Sequence, residues 1–116
     1  MRPTKLLLIA PLLAAVPLLS GCGLLGGSWD VRMEVVGAGD ATVTTKFAGE
    51  PDVGTTIETT LPFDSTRNVG FGFNRIDVAG AAPGTVCRTV VDGQVREEEP
   101  VDATGFASCE ANNQNP

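Results

Sequence analysis

The chain has 116 residues, of which 14 are acidic and 8 are basic, so its formal net charge is −6. A protein this acidic is not a nucleic-acid binder, because binding the phosphate backbone requires a basic surface. The sequence contains no histidine, which excludes both histidine general-base catalysis and histidine ligation of a metal.

The N-terminus has the pattern of a bacterial lipoprotein signal peptide. Two basic residues occur within residues 1–5, and an apolar run then extends over residues 6–19. The run ends in Leu19–Cys22 (Leu-Ser-Gly-Cys), where small residues precede a cysteine whose thiol can accept a lipid. We therefore predict a signal peptide at residues 1–21, cleavage before Cys22, and an extracytoplasmic protein anchored by lipid to the cell membrane.

The alternative is a transmembrane helix that stays in place. Spanning a bilayer takes about 20 predominantly apolar residues, and Pro11 and Pro17 would interrupt a helix here. Cleavage would leave 95 residues with 6 basic and 14 acidic side chains, enough for one small domain. Because a net charge of −8 repels an anionic lipid surface, the lipid on Cys22 would hold the domain at the membrane. Residues 22–28, rich in glycine, are predicted to form its tether.

The remaining cysteines, Cys87 and Cys109, form an even pair outside the reducing cytosol. The simplest interpretation is a structural disulfide. A redox-active pair is the alternative, but the close Cys-x-x-Cys spacing and the basic neighbours that lower a thiol pKa are missing.

Alternating apolar and polar residues predict several short strands after the tether. The first covers residues 29–35, and a turn at residues 37–40 separates it from a second at residues 41–47. A threonine-rich strand is predicted at residues 56–63, where Pro62 marks its end or an edge position.

The segment Val69–Phe73 alternates apolar side chains with glycine and is predicted to be a strand. Glycine in a strand marks a bulge or a close approach to the backbone. Two interpretations follow: another part of the chain packs over the glycines, or an external apolar ligand or partner binds there. A further short strand is predicted at residues 75–78.

The last third contains the clearest hairpin signal, in which Asp92-Gly93 joins a strand at residues 85–91 to one starting at Gln94. A final strand is predicted at residues 106–110, followed by a disordered tail at residues 111–116. About seven short strands without helical periodicity predict an all-β, antiparallel β-sandwich over residues 29–110.

The residues give little support for catalysis or for a cofactor. The acidic cluster of Glu97–Glu99 with Asp102 lacks the spaced loop that fixes calcium, and we interpret it as solvated. No serine lies in a Gly-x-Ser-x-Gly elbow. Carboxylate-pair hydrolysis stays open as an alternative, although it requires a cleft that a small sandwich seldom provides. We therefore expect no enzyme, catalytic residue, metal or cofactor.

The run Val86–Val95 (Val-Cys-Arg-Thr-Val-Val-Asp-Gly-Gln-Val), followed by Cys109, resembles the MmpS family of small mycobacterial membrane proteins. Members of that family have a similar Cys-Arg-x-x-Val-Asp-Gly run and a later cysteine. The Val36-Gly37 and Leu61–Phe63 steps also look like the family pattern. The similarity covers residues 29–110.

This resemblance implies an immunoglobulin-like β-sandwich in which Cys87 and Cys109 have a structural role. It also implies an accessory role for an MmpL-type transporter of the resistance-nodulation-division (RND) class, which exports lipids or siderophores. The chain departs from the family at its start, where a lipidation signal stands in place of a retained helix. The alternative is an envelope lipoprotein whose sandwich binds an apolar ligand or another protein, unrelated to transport.

Overall fold

The computed structural model describes residues 27–113, which form eight antiparallel strands and no helix. The strands are β1 (Trp29–Val36), β2 (Asp40–Lys46), β3 (Thr55–Thr60), β4 (Phe63–Val69), β5 (Gly72–Ala79), β6 (Val86–Val91), β7 (Gln94–Pro100) and β8 (Ala107–Asn113).

Two four-stranded sheets face each other, in the orders β4-β1-β6-β7 and β3-β2-β5-β8. The predicted antiparallel β-sandwich is therefore confirmed, with eight strands in place of about seven. β1 pairs with β4, while β2 pairs with both β3 and β5. These are the pairings that strands B and E, and strands C, C′ and F, make in an immunoglobulin variable domain. The β6–β7 hairpin extends the first sheet beyond β1.

The core lies between the sheets and follows from the period-two alternation of the strands. In β1, Val31, Met33 and Val35 are fully buried, whereas Asp30 and Arg32 are exposed, as predicted. β5 contributes Ile76 and Val78 from the facing sheet. The other fully buried apolar side chains include Val43, Phe47, Cys87, Val91 and Cys109.

The predicted Asp92-Gly93 turn joins β6 to β7. Both residues have positive φ, 49° for Asp92 and 83° for Gly93, as a two-residue type I′ turn requires. Asp92 also secures the turn to β1, because its carboxylate accepts a hydrogen bond from the Asp30 amide (2.8 Å) and its own amide donates to the Asp30 carbonyl (2.9 Å).

The prediction of one strand over Val69–Phe73 is wrong. Val69 ends β4, Gly70 and Phe71 connect the two sheets, and Gly72 starts β5, which continues without a break through the predicted 75–78 strand. The alternation of apolar residues with glycine has the same period of two as a strand. Gly72, however, has a φ of 137°, which turns the chain between the sheets.

The threonine-rich strand is shorter than predicted and ends at Thr60. Pro62 follows its end, as expected, and Phe63 belongs to β4 in the other sheet. β4 was not predicted, because this edge strand is mostly polar and has no fully buried residue. At the C-terminus, β8 continues through Asn113, so any tail begins no earlier than residue 114, outside the described residues.

Candidate functional site

Cys22, the predicted lipidation site, lies outside the described residues, five positions before Gly27. From Gly27 the chain enters β1 at one end of the sandwich. We call this the tether end; it consists of the start of β1, the β2–β3 loop (residues 47–54), the β4–β5 connection (residues 70–71) and the Asp92-Gly93 turn. The opposite, distal end contains the loops at residues 37–39, 61–62, 80–85 and 101–106.

Aromatic side chains lie close together at the tether end. Phe71 packs edge-on against Trp29, with ring centroids 5.5 Å apart at 64°. Trp29 is buried, but Phe71 and Phe73 are 56% and 52% exposed. The first interpretation of this segment is confirmed at Gly72, whose bare face packs on Ala48. The two phenylalanines are exposed, and an external ligand or partner there stays a prediction.

The β2–β3 loop is held at this end by the buried side chain of Asn74. Its Oδ1 accepts a hydrogen bond from the Ala48 amide (2.9 Å), and its Nδ2 donates to the Ala111 carbonyl (3.2 Å). Arg67 lies 5.0 Å from the centroid of the Phe47 ring and forms an ion pair with Glu50. These contacts give the loop a defined position beside Phe71 and Phe73.

The predicted disulfide between Cys87 and Cys109 is present. It joins β6 of one sheet to β8 of the other, with the two Cα atoms 6.1 Å apart and both residues fully buried. A crosslink in this position stabilises the sandwich and is sealed from solvent, which is consistent with a structural role.

An ion-pair network covers the outer face of the first sheet. Arg88 donates hydrogen bonds to Glu98 (Nε–Oε2, 2.7 Å) and to Glu34 (Nη1–Oε1, 2.9 Å). Arg32 pairs with Glu34 (2.7 Å) and Asp64 (3.3 Å). The hydrogen bond that Arg88 donates to Glu98, and then that to Glu34, raises the pKa of Arg88 above its ordinary value. Sequence reasoning did not find this network, because its members come from four strands.

A shallow hollow of about 300 Å³ lies beside this network. Arg32, Glu34 and Arg88 line it together with the apolar Val36 and Phe63. The carboxylates here are paired with arginines: Glu34 with Arg32 and Arg88, and Asp64 with Arg32.

Asp102 has a structural role at the distal end. Its Oδ1 accepts hydrogen bonds from the Thr104 hydroxyl (2.6 Å), the Thr104 amide (2.8 Å) and the Phe106 amide (3.1 Å). The Thr104 hydroxyl, and then the Phe106 amide, lower the pKa of Asp102 below its ordinary value. The Asp102 carboxylate is therefore a loop-forming group, and not only part of a solvated acidic patch.

Within residues 27–113, no group of three or more acidic or cysteine side chains is placed to hold a metal ion. The same part of the chain has no helix of sufficient length and apolarity to cross a membrane. Comparison with protein-family models and with curated proteins finds no match to this chain.

Proposed function

We propose that this chain is a lipid-anchored, extracytoplasmic lipoprotein that acts as a non-catalytic accessory to an MmpL-type RND exporter of lipids or siderophores. The observation that carries the proposal is the disulfide between the Cys-Arg-Thr-Val-Val-Asp-Gly hairpin and the last strand. The Val86–Val95 run and Cys109, which carry the resemblance to the MmpS family, lie in the β6–β7 hairpin and β8, and the disulfide between Cys87 and Cys109 fits the structural role that the resemblance implies.

The position of the tether supports this proposal on physical grounds. A lipid on Cys22 would confine the sandwich to within a few residues' length of the membrane in which an exporter is embedded. Confinement of two proteins to one surface raises their effective concentration, so a modest contact area is sufficient for association. The lipid would then replace the anchoring function of the helix in the family that the chain resembles.

Two gene-level measurements test the function. Deleting the gene should reduce export by the partner transporter, and the wild-type gene should restore it. Cys22→Ala should abolish lipidation, leaving a released protein or an uncleaved precursor, and should fail to restore export. Unchanged export after deletion contradicts the accessory role, whereas a Cys22→Ala protein that is still processed and membrane-bound contradicts the lipid anchor.

The second candidate is an envelope lipoprotein whose sandwich binds an apolar ligand or another envelope protein. The exposure of Phe71 and Phe73 favours it, because large apolar side chains on a surface often mark a binding site. Organic extraction of the purified protein followed by mass spectrometry tests for a bound lipid. A stoichiometric lipid that is lost in a Phe71→Ser/Phe73→Ser variant would support this candidate over the first.

A further inference from the structure

The exposed apolar side chains are concentrated at one end of the sandwich. Within residues 27–113, the four most exposed large apolar side chains are Val53 (79%), Val95 (56%), Phe71 (56%) and Phe73 (52%). Val53, Phe71 and Phe73 lie in or next to the loops of the tether end, and Val95 follows its hairpin turn by two residues.

The side chain of Lys46 connects the two apolar segments of this end. Its Nζ lies 3.3 Å from the carbonyl oxygen of Phe73 and 3.9 Å from Oδ1 of Asp52, the neighbour of Val53. Arg75 reinforces the connection by donating to the Asp52 carbonyl (3.3 Å). Val53 and Phe73 therefore belong to one surface. We call Val53, Phe71 and Phe73 the apolar tip.

Charge differs between the two ends. Three of the six basic residues after position 22 lie at the tether end, and each is paired with an acidic residue: Lys46 with Asp52, Arg67 with Glu50 and Arg75 with Asp77. The acidic half of β7, by contrast, runs toward the distal end, where Glu99 pairs in register with Cys87 near the start of β6. An anionic lipid surface would repel the distal end more strongly than the tether end.

The length of chain between Cys22 and the first described residue limits which end of the sandwich can face the membrane. Gly27 is five positions after Cys22, and at most about 3.6 Å per position gives a reach of roughly 18 Å. Gly27 itself is next to the tip, since its carbonyl oxygen is 3.8 Å from the position that a Cβ on Gly70 would occupy. A lipid on Cys22 would therefore bring this end, and not the distal end, to the bilayer.

We propose that the apolar tip contacts the bilayer directly, with Val53, Phe71 and Phe73 inserted at the boundary between headgroups and acyl chains. The inference rests on the proposed lipid anchor and adds a fixed orientation to it. Apolar and aromatic side chains favour this boundary. The sandwich then stands on its tether end with the distal loops turned away from the membrane.

Fluorescence quenching by brominated lipid tests the orientation in the full lipidated protein. Phe73→Trp places a reporter in the apolar tip, and Phe106→Trp places one at a distal position of similar exposure, 43% against 52%. Each variant is reconstituted into phosphatidylcholine–phosphatidylglycerol vesicles with and without bromine on the acyl chains, and the wild-type signal from Trp29 is subtracted. We expect about a twofold loss of fluorescence for Phe73→Trp and none for Phe106→Trp, because insertion reaches only the outer part of the acyl region.

Flotation of the same vesicles separates failure of this inference from failure of the anchor. Protein that floats with the vesicles but shows no quenching of Phe73→Trp overturns the membrane contact and leaves the anchor intact. Wild-type protein that does not float overturns both. If Phe73→Trp does not fold, Val53→Trp is the replacement, because Val53 is 79% exposed in a loop. Equal quenching of the tip and distal reporters also overturns the proposed orientation.

Discussion

Aspartate side chains stabilise turns of this protein by accepting hydrogen bonds, and Asp102 is the clearest case. Three hydrogen bonds converge on its Oδ1 within five residues of sequence, and the Gly105 amide donates to its carbonyl oxygen (2.9 Å). The loop in turn contacts the rest of the distal end, since the Ala81 amide donates to the Gly105 carbonyl (3.1 Å). The Asp102 side chain thus shapes the β7–β8 loop, and the backbone of Gly105 in that loop connects it to the β5–β6 loop.

We expect the order of this loop to depend on the charge of Asp102. The pKa of Asp102 is below the ordinary value of 3.8, so the folded loop is more stable when the Asp102 carboxylate is ionised. The stabilisation is fully present above pH 3.8 and is lost as the pH falls through the lower, folded-state pKa. An NMR titration of the Thr104 amide should therefore have its midpoint below 3.8.

Two substitutions separate the charge of Asp102 from its hydrogen bonding. Asp102→Asn keeps an acceptor oxygen, so the loop should stay folded and the pH transition should disappear. Asp102→Ala removes the acceptor and should accelerate hydrogen exchange at the Thr104 and Phe106 amides. A titration midpoint at or above 3.8 in the wild type would contradict this account.

At the scale of elements, the connection from β4 to β5 is constrained at Gly72. Gly72 has a φ of 137°, which is unfavourable for any residue with a side chain, and a Cβ there would lie 3.0 Å from the Ala48 Cβ. Gly70, two residues earlier, has no such constraint: its nearest neighbour would be the Gly27 carbonyl oxygen at 3.8 Å.

Replacing each glycine by alanine should therefore have different effects on stability. Gly72→Ala should lower the free energy of unfolding by about 1–3 kcal/mol through backbone strain. Gly70→Ala should leave it unchanged or raise it by up to about 1 kcal/mol, because alanine restricts the unfolded chain. Urea unfolding followed by the fluorescence of the buried Trp29 measures both variants. Equal effects would mean that the positive φ of Gly72 does not constrain this connection.

The sequence was sufficient where a local signal determines local structure. The alternation in β1 and the Asp92-Gly93 turn were both predicted correctly, because each depends on neighbours in the chain. β4 and the start of β5 were not, because the polar segment Phe63–Val69 is an edge strand whose position depends on its pairing with β1. The same reason explains why the network around Arg88 was missed: Glu34 lies 54 residues away in sequence and is brought close only by the pairing of β1 with β6.

At the scale of the whole molecule, the two sheets are fastened together along one side. Besides the disulfide, the Thr89 hydroxyl donates to the Glu110 carbonyl (3.0 Å), and the Glu97 carboxylate accepts from the Glu110 amide (2.6 Å). All of these contacts connect the β6–β7 hairpin to β8. The two hydrogen bonds also satisfy backbone groups of β8, an edge strand that would otherwise present them to other chains.

A domain of this size has a small core, so the crosslink should provide a large share of its stability. The disulfide closes a loop between positions 22 residues apart, which corresponds to about 3 kcal/mol in the chain-entropy model. Total stabilities of such domains are about 5–15 kcal/mol.

We expect Cys87→Ala/Cys109→Ala, which leaves no unpaired thiol in the core, to lower the free energy of unfolding by about 3 kcal/mol. Thr89→Val is the matched control: it removes one hydrogen bond between the same elements and should cost only about 1 kcal/mol. Urea unfolding measures both, and thiol titration of the wild type unfolded in urea without reductant should detect neither Cys87 nor Cys109. Two reactive thiols from this pair, or a double variant as stable as the wild type, would contradict a structural role for the bond.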